Sequence, residues 1–212
     1  LAEVQGDKIV LCKEDLEDFI ALVNHIASTK PSKITSAKRL AIQMAAKARI
    51  LASTINNAFC LAEEDSKSAE KNKQLQGQLD AFRKVLINDL TPQGFANIYA
   101  QTVAYGMFAA RLHDNTPDNF SRQEAANLIP KTNPFLRNIF QQIAGYDLDE
   151  RIAWIVDDLI NVFLATDVQK VTKNYSQKGI HRDPMIHFYE DFLKAYNPSL
   201  RKLKGVWYTP QP

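Results

Sequence analysis

The chain has 212 residues, 45% of them hydrophobic, and a formal net charge of +2. This length and apolar content suffice for one sizeable core, and the small net charge excludes a histone-like polycation. The longest apolar runs are interrupted by charges before the roughly 20 residues that a membrane-spanning helix needs. The two cysteines, Cys12 and Cys60, lack the C-x-x-C spacing of a redox or zinc site. We therefore expect a cytoplasmic protein with no membrane partner.

The fold is predicted to be all-α. Only seven glycines occur, and apolar residues recur at i, i+3, i+4 and i+7 instead of alternating. We predict a single multi-helix bundle domain that ends in a short extended segment. It comprises an N-terminal helical part, 1–90, a C-terminal helical part, 91–196, and a final segment, 197–212. Because residue 1 is Leu and no leader follows it, we expect the chain to be a domain excised from a longer protein.

Three apolar stripes predict the main helices. In the segment 35–62, apolar residues follow one another at alternating steps of four and three, as in a heptad seam. Between this segment and the next helices, residues 63–78 are polar, which is typical of either a solvated bridging helix, the alternative we favour, or a linker. The stripes are Ala37, Ala41, Met44, Ala48, Leu51, Ile55 and Ala58; then Ile152, Ile155, Val156, Leu159, Ile160, Phe163 and Leu164; and last Met185, Phe188, Tyr189, Phe192, Leu193 and Tyr196.

Helix starts are predicted where a side chain able to cap a helix precedes proline, since proline suits the first helical position. Two capping boxes predict further starts, Ser121 with Glu124 and Asp147 with Glu150. Gly145 is placed to end the helix before the second box. The residues that precede proline are Thr91, Thr116, Asn133, Asp183, Asn197 and Thr209.

A basic segment without any carboxylate lies between Phe19 and Ala62. One interpretation is an ordinary solvated helix face. The other is a surface that contacts the DNA backbone, with weak, sequence-independent and salt-sensitive binding. Both alternatives stay open on the sequence. The candidate residues are Lys30, Lys33, Lys38, Arg39, Lys47 and Arg49.

Other polar clusters have simpler explanations than catalysis. His181, Asp183 and His187 have a spacing compatible with a metal site, and a small helical metalloenzyme is therefore an alternative. However, Asp183 is explained as a helix cap, and we predict no metal. The pair Asp157 and Asp158 is interpreted as a solvated face of its helix. We predict no catalytic residue in this chain.

The end of the chain carries the most specific pattern, DPMIHFYEDFLKAYNPSLRKLKGVWYTPQP. It resembles large adenine-N6 DNA methyltransferases, including single-polypeptide restriction-modification enzymes, which carry DPxxHFYE…YxPxLRxxxGVYYTP just ahead of the methyltransferase core. The one departure within the last motif is Trp207, where the family usually has Tyr. The matching residues are Asp183, Pro184, His187, Phe188, Tyr189, Glu190, Pro198, Leu200, Arg201, Gly205, Val206, Tyr208, Thr209 and Pro210.

Two upstream blocks, 95–112 and 131–159, are similar to the helical region that precedes the same methyltransferases. The resemblance implies that 197–212 begins a methyltransferase domain and that the helices connect it to an upstream nuclease domain. It also implies DNA as the partner of the intact protein and S-adenosylmethionine as its cofactor, with Tyr208, Thr209 and Pro210 in the cofactor pocket. Thr209 could cap a helix and Pro210 begin it, which would suit the cofactor's carboxylate.

The chain alone is expected to be non-catalytic and to bind no S-adenosylmethionine. It contains neither a Gly-rich loop after a strand for the cofactor nor an Asn/Asp-Pro-Pro-aromatic loop for a flipped base. The alternative of a different class is a stand-alone helical protein-interaction module. These alternatives differ in whether the gene continues beyond Pro212 into a methyltransferase core.

Overall fold

The structure is a computed structural model that describes residues 2–5, 8–11, 13–28, 32–64, 72–116, 118–129, 134–145, 148–176 and 184–199. The chain divides into two compact units, Leu1–Ser32 and Lys33–Pro212. The boundary predicted after residue 90 falls inside the second unit. Of the final segment 197–212, which was predicted to be extended, only residues 197–199 are described. Pro198 and Ser199 are helical, in agreement with the helix start predicted at Asn197.

The first unit contains a β-hairpin, which was not predicted from the sequence. Strand β1 (Ala2–Gln5) pairs antiparallel with β2 (Lys8–Leu11), and Gln5 lies opposite Lys8. Helix α1 (Lys13–Ser28) follows. Several large apolar side chains of α1 are exposed, from 45% at Val23 to 64% at Ile26.

The second unit is helical, which confirms the predicted all-α bundle. Its longest helix, α2, packs against α4, α7, α8 and α9. In the described helices, no segment combines the length and apolar character needed to span a membrane. The helices are α2 (Ala37–Glu64), α3 (Lys73–Val85), α4 (Pro92–Leu112), α5 (Arg122–Leu128), α6 (Pro134–Ala144), α7 (Glu150–Leu164), α8 (Val168–Ser176) and α9 (Pro184–Tyr196).

The predicted apolar stripes form the core. All seven members of the α2 seam are buried, and six of the seven on α7 are buried, with Leu164 36% exposed. Small alanines along α2 let neighbouring helices approach closely, and burial of apolar area is the main stabilising term. On α9, the buried Phe188 ring stacks on Phe108 of α4 with centroids 4.0 Å apart.

A glycine inside α4 permits another close approach. A Cβ at Gly106 would lie 2.5 Å from Cζ of Phe140, a buried residue of α6. Glycine in a helix interior costs about 1 kcal/mol relative to alanine. The contact between α4 and the Phe140 ring explains why the helix accepts that cost.

Most predicted helix boundaries are confirmed. Thr91 caps α4, since its Oγ1 accepts a hydrogen bond from the Gly94 N–H at 3.0 Å. Ser121 caps α5 in the same way, accepting from the Glu124 N–H at 3.2 Å. Helices α6 and α9 begin at the predicted prolines, and α6 ends just before Gly145. The predicted start at Thr209 lies outside the described residues.

Two predicted starts are wrong. No helix begins after Thr116: the next one starts at Arg122, and the Thr116 N–H and hydroxyl donate to Asp114 at 2.7 and 2.9 Å. Helix α7 is capped by Asp149, two residues after the predicted Asp147. Asp149 accepts from the Arg151 N–H at 2.9 Å and also pairs with its guanidinium. In both places a local carboxylate competes for the backbone donors.

The polar segment 63–78 is described only at its two ends. Residues 65–71 lie outside the described residues, so the bridging helix stays a prediction, while residues 63–64 end α2 and residues 73–78 begin α3, whose Leu75 and Gln78 are buried. Asn72, only 2% exposed, donates to the Ala58 carbonyl of α2 and accepts from Arg151 of α7 at 2.6 Å. A buried amide must find hydrogen-bond partners. Asn72 therefore ties the start of α3 to two other helices.

A buried ion pair ends α4. The side chains of Arg111 and Asp114 are 4% and 1% exposed and form a salt bridge. The guanidinium also lies 5.4 Å from the centroid of the Phe120 ring. Burial would raise the pKa of Asp114, but hydrogen bonds from Thr116 and Arg111 outweigh it and hold this pKa below its usual range. The carboxylate therefore stays charged inside the protein.

Candidate nucleic-acid interface

The basic residues predicted to contact DNA lie mainly on α2. Lys38 and Arg49 are eleven residues apart, so at 3.6 residues per turn they share one side of the helix, about 16 Å apart along its axis. Lys47 falls on the opposite side. Lys33 precedes the helix and is exposed, whereas Lys30 lies outside the described residues. The six candidates thus do not form a single surface.

Lys47 has a structural partner. Its ammonium forms an ion pair with Asp158 of α7, and the two side chains are 24% and 36% exposed. The neighbouring Asp157 pairs with Arg122 of α5 at 3.0 Å. The side chains of Asp157 and Asp158 are 52% and 36% exposed, as a solvated face predicts, and each carboxylate also joins α7 to another helix. Lys47 is accordingly the weakest of the DNA candidates.

Arg49 reaches the end of α9. Its Nη1 donates to the Ala195 carbonyl at 2.7 Å and to the Tyr196 carbonyl at 3.4 Å. Carbonyls in the last turn of a helix lack helical partners and carry the negative end of its dipole, so a guanidinium stabilises them. The Tyr196 hydroxyl donates in turn to Oδ1 of Asn97 on α4 at 2.7 Å. The last turn of α9 is therefore held by both α2 and α4.

Three of the remaining candidates form an exposed cationic strip on α2. We define the α2 strip as Lys38, Arg39 and Arg49, all exposed. Apolar Ile42 and Ile50, 49% and 39% exposed, lie beside them. No carboxylate occurs in this helix before Glu63. An exposed cationic surface without carboxylates is compatible with contacts to backbone phosphates.

The other predicted sites fall largely outside the described residues. These are the cofactor candidates Tyr208, Thr209 and Pro210, and two members of the histidine cluster, His181 and Asp183. The third member, His187, lies on α9 with its ring 6.3 Å from that of Tyr175. Within the described ranges, no group of three or more His, Cys, Asp or Glu side chains is arranged to hold a metal ion.

A second concave surface is apolar. A cavity of about 580 Å³ lies along α4. Apolar side chains of α4, α6 and α9 dominate its wall, which includes Ile98, Tyr105, Leu136, Ile186 and Tyr189. Its composition is that of a packing groove, and the described residues that line it include no His, Cys, Lys, Asp or Glu side chain.

The helical unit thus presents a cationic strip, a buried polar framework and an apolar groove. Comparison of the chain with protein-family models, with curated proteins and with solved structures finds no match.

Proposed function

We propose that this chain is a helical connector of a cytoplasmic adenine-N6 DNA methyltransferase of the restriction-modification type. It positions the S-adenosylmethionine-dependent methyltransferase core relative to an upstream nuclease domain and contacts the DNA backbone. Catalysis belongs to the intact protein, where Tyr208, Thr209 and Pro210 contribute to the cofactor pocket. The observation that carries the proposal is the ordered sequence similarity of three blocks, 95–112, 131–159 and 183–210.

The arrangement of these blocks supports a connector role. The first is α4, the second spans α6 and α7, and the third begins with α9. They pack on one another through Phe188 against Phe108 and through Phe140 against Gly106. The aromatic pair of Phe188 and Phe108 adds about 0.5–1.5 kcal/mol beyond the burial of its area. The chain that follows α9 therefore begins at a fixed position in the bundle.

The proposal predicts weak duplex binding with a steep salt dependence. We expect this chain to bind duplex DNA without sequence preference, with Kd on the order of 10–100 μM near physiological salt. About three phosphate contacts by the α2 strip give a slope of roughly −2.7 for log K against log salt. Fluorescence anisotropy of a labelled duplex over a salt series measures both quantities.

A matched pair of double variants locates the binding surface. Lys38→Gln with Arg39→Gln removes two charges from the α2 strip, and we expect the slope to fall by about two. Lys84→Gln with Lys173→Gln removes two exposed charges from α3 and α8 and leaves the slope unchanged. If wild-type chain binds no duplex at low salt, or if the two double variants behave alike, the DNA contact is wrong.

The gene offers an independent test. We expect the reading frame to continue beyond Pro212 into a strand with a Gly-rich loop and, further on, an Asn/Asp-Pro-Pro-Tyr/Phe motif. These elements would supply the cofactor site and the flipped-base site. Sequencing the locus decides the question, and a stop codon directly after Pro212 would contradict the connector role.

The second candidate function is a stand-alone protein-interaction module. The observation that favours it is the set of exposed apolar side chains on α1, such as Phe19 at 46% and Leu22 at 54%. Exposed apolar clusters of this kind often mark interaction surfaces. A stop codon after Pro212 would favour this candidate.

A further inference from the structure

A polar cavity lies beside the α2 strip. It has a volume of about 340 Å³ and is bounded by α2, the first turns of α4 and the end of α9. This volume falls in the range of about 300–1,000 Å³ that is typical of small-ligand sites. Ala52 and Ala96 leave space for it, and its polar wall consists of Arg49, Ser53, Asn56, Gln93, Asn97 and Asn197, with Tyr196 beside them.

Arg49 supplies the charge of this cavity. Both of its hydrogen bonds to α9 use Nη1. Nη2 and Nε of the same planar group can therefore donate to a ligand while Nη1 fixes the side chain. A guanidinium pre-oriented in this way loses little entropy on binding and suits the oxygen atoms of a phosphate.

Neighbouring donors lie at helical spacing. Ser53 and Asn56 follow Arg49 by four and seven residues, which places all three on one side of α2. Their hydroxyl and amide groups are hydrogen-bond donors. Across the cavity, Gln93 lies in the first turn of α4, where the helix dipole is positive.

Asn97 is part of the wall's support. Its Nδ2 donates to the Gln93 carbonyl at 2.9 Å, and its Oδ1 accepts from the Tyr196 hydroxyl at 2.7 Å. The first bond lies within α4 and orients the Asn97 amide, and the second joins α4 to α9 beside the cavity. The residues placed to contact a ligand are therefore Arg49, Ser53, Asn56 and Gln93.

Among the described residues that line the cavity there is no carboxylate, and the formal charge they contribute is the positive charge of Arg49. We propose that this cavity, which we call the Arg49 pocket, binds a phosphate group. The inference deepens the proposed function and rests on it where the phosphate belongs to the DNA backbone. Inorganic phosphate or a mononucleotide would present the same chemistry, and the experiment separates these sources.

The decisive variant adds a negative charge to the pocket and leaves Arg49 in place. Asn56→Asp opposes a bound phosphate, while Asn138→Asp makes the same change at an exposed position of α6. We expect Asn56→Asp to weaken duplex binding at least tenfold and Asn138→Asp to change it less than threefold. Arg49→Gln should also lower the salt slope by about one. Circular dichroism and the unfolding midpoint identify any variant that does not fold.

Titration with inorganic phosphate and with a mononucleotide, followed by 31P NMR, forms the second arm. Phosphate binding that Asn56→Asp abolishes supports the pocket even if the wild-type chain binds no duplex, and then only the DNA contact fails. Duplex binding that Asn56→Asp and Asn138→Asp weaken equally overturns the pocket and leaves the DNA contact of the α2 strip intact. Absence of all phosphate and duplex binding overturns both.

Discussion

Replacing Arg111 by methionine is expected to lower the free energy of unfolding by about 3–5 kcal/mol, because the change leaves the charge of Asp114 buried without its partner. Both side chains are almost fully buried, at 4% and 1% exposure. Domains of this kind are stable by only about 5–15 kcal/mol, so the loss is a large fraction of the total. Urea unfolding at neutral pH measures it.

Two comparisons test whether this loss of stability comes from leaving the charge of Asp114 buried. Lys170→Met removes the exposed pair with Asp167, whose lysine is 63% exposed, and should cost less than about 1 kcal/mol. The double variant Arg111→Met with Asp114→Leu should be more stable than the sum of the two single changes, by about 1–3 kcal/mol. Equal losses in Arg111→Met and Lys170→Met would contradict the burial argument.

The pH dependence gives a further readout of the Arg111–Asp114 pair. The pKa of Asp114 is lower in the folded chain than in the unfolded one. Its contribution to the free energy of unfolding is therefore fully present above the unfolded pKa of about 3.9. This contribution is lost as the pH falls through the folded pKa. In Arg111→Met the buried carboxylate is uncompensated, so the difference from wild type should shrink as acid protonates Asp114.

Phe188→Ala is expected to cost about 3–5 kcal/mol, since the change removes a fully buried aromatic ring and leaves a cavity. Phe188 has 0% exposure and stacks on Phe108. Thermal and urea unfolding should show the loss in the same cooperative transition, because α9 packs against α2 within one unit.

The control lies two residues away on the same helix. Ile186 is 37% exposed, so Ile186→Ala should cost less than about 1 kcal/mol. Phe188→Leu keeps most of the apolar volume and should fall between the two. A loss below 1 kcal/mol in Phe188→Ala would mean that α9 contributes little to the core.

The helical core could be predicted from the sequence because its signals are local. Alternating steps of four and three place Ala41 and Met44 on one face of α2, and both are buried. Capping pairs such as Thr91 with Pro92 act over a few residues. The hairpin was not predicted, although Gly6-Asp7 is a recognised turn signal, because β2, with the sequence Lys-Ile-Val-Leu, shows no alternation of apolar and polar residues.

The sequence could not show that Lys47 and Arg49 bind other helices, because their partners are distant in sequence. Asp158, which pairs with Lys47, is 111 residues further along the chain, and the carbonyl that Arg49 binds is 146 residues away. The polar wall of the Arg49 pocket could not be predicted for the same reason. Its one local signal was the spacing of Arg49, Ser53 and Asn56, which becomes informative only once α4 and α9 are placed beside it.

The attachment of the last turn of α9 has a mechanical consequence. A force applied to residues beyond Asn197 reaches Ala195 and Tyr196 first, where Arg49 and Asn97 hold the helix end. The tension passes into α2 and α4, the two longest helices of the bundle, before it can unwind α9. A neighbouring domain that pulls or turns on this end would therefore move the bundle as one body.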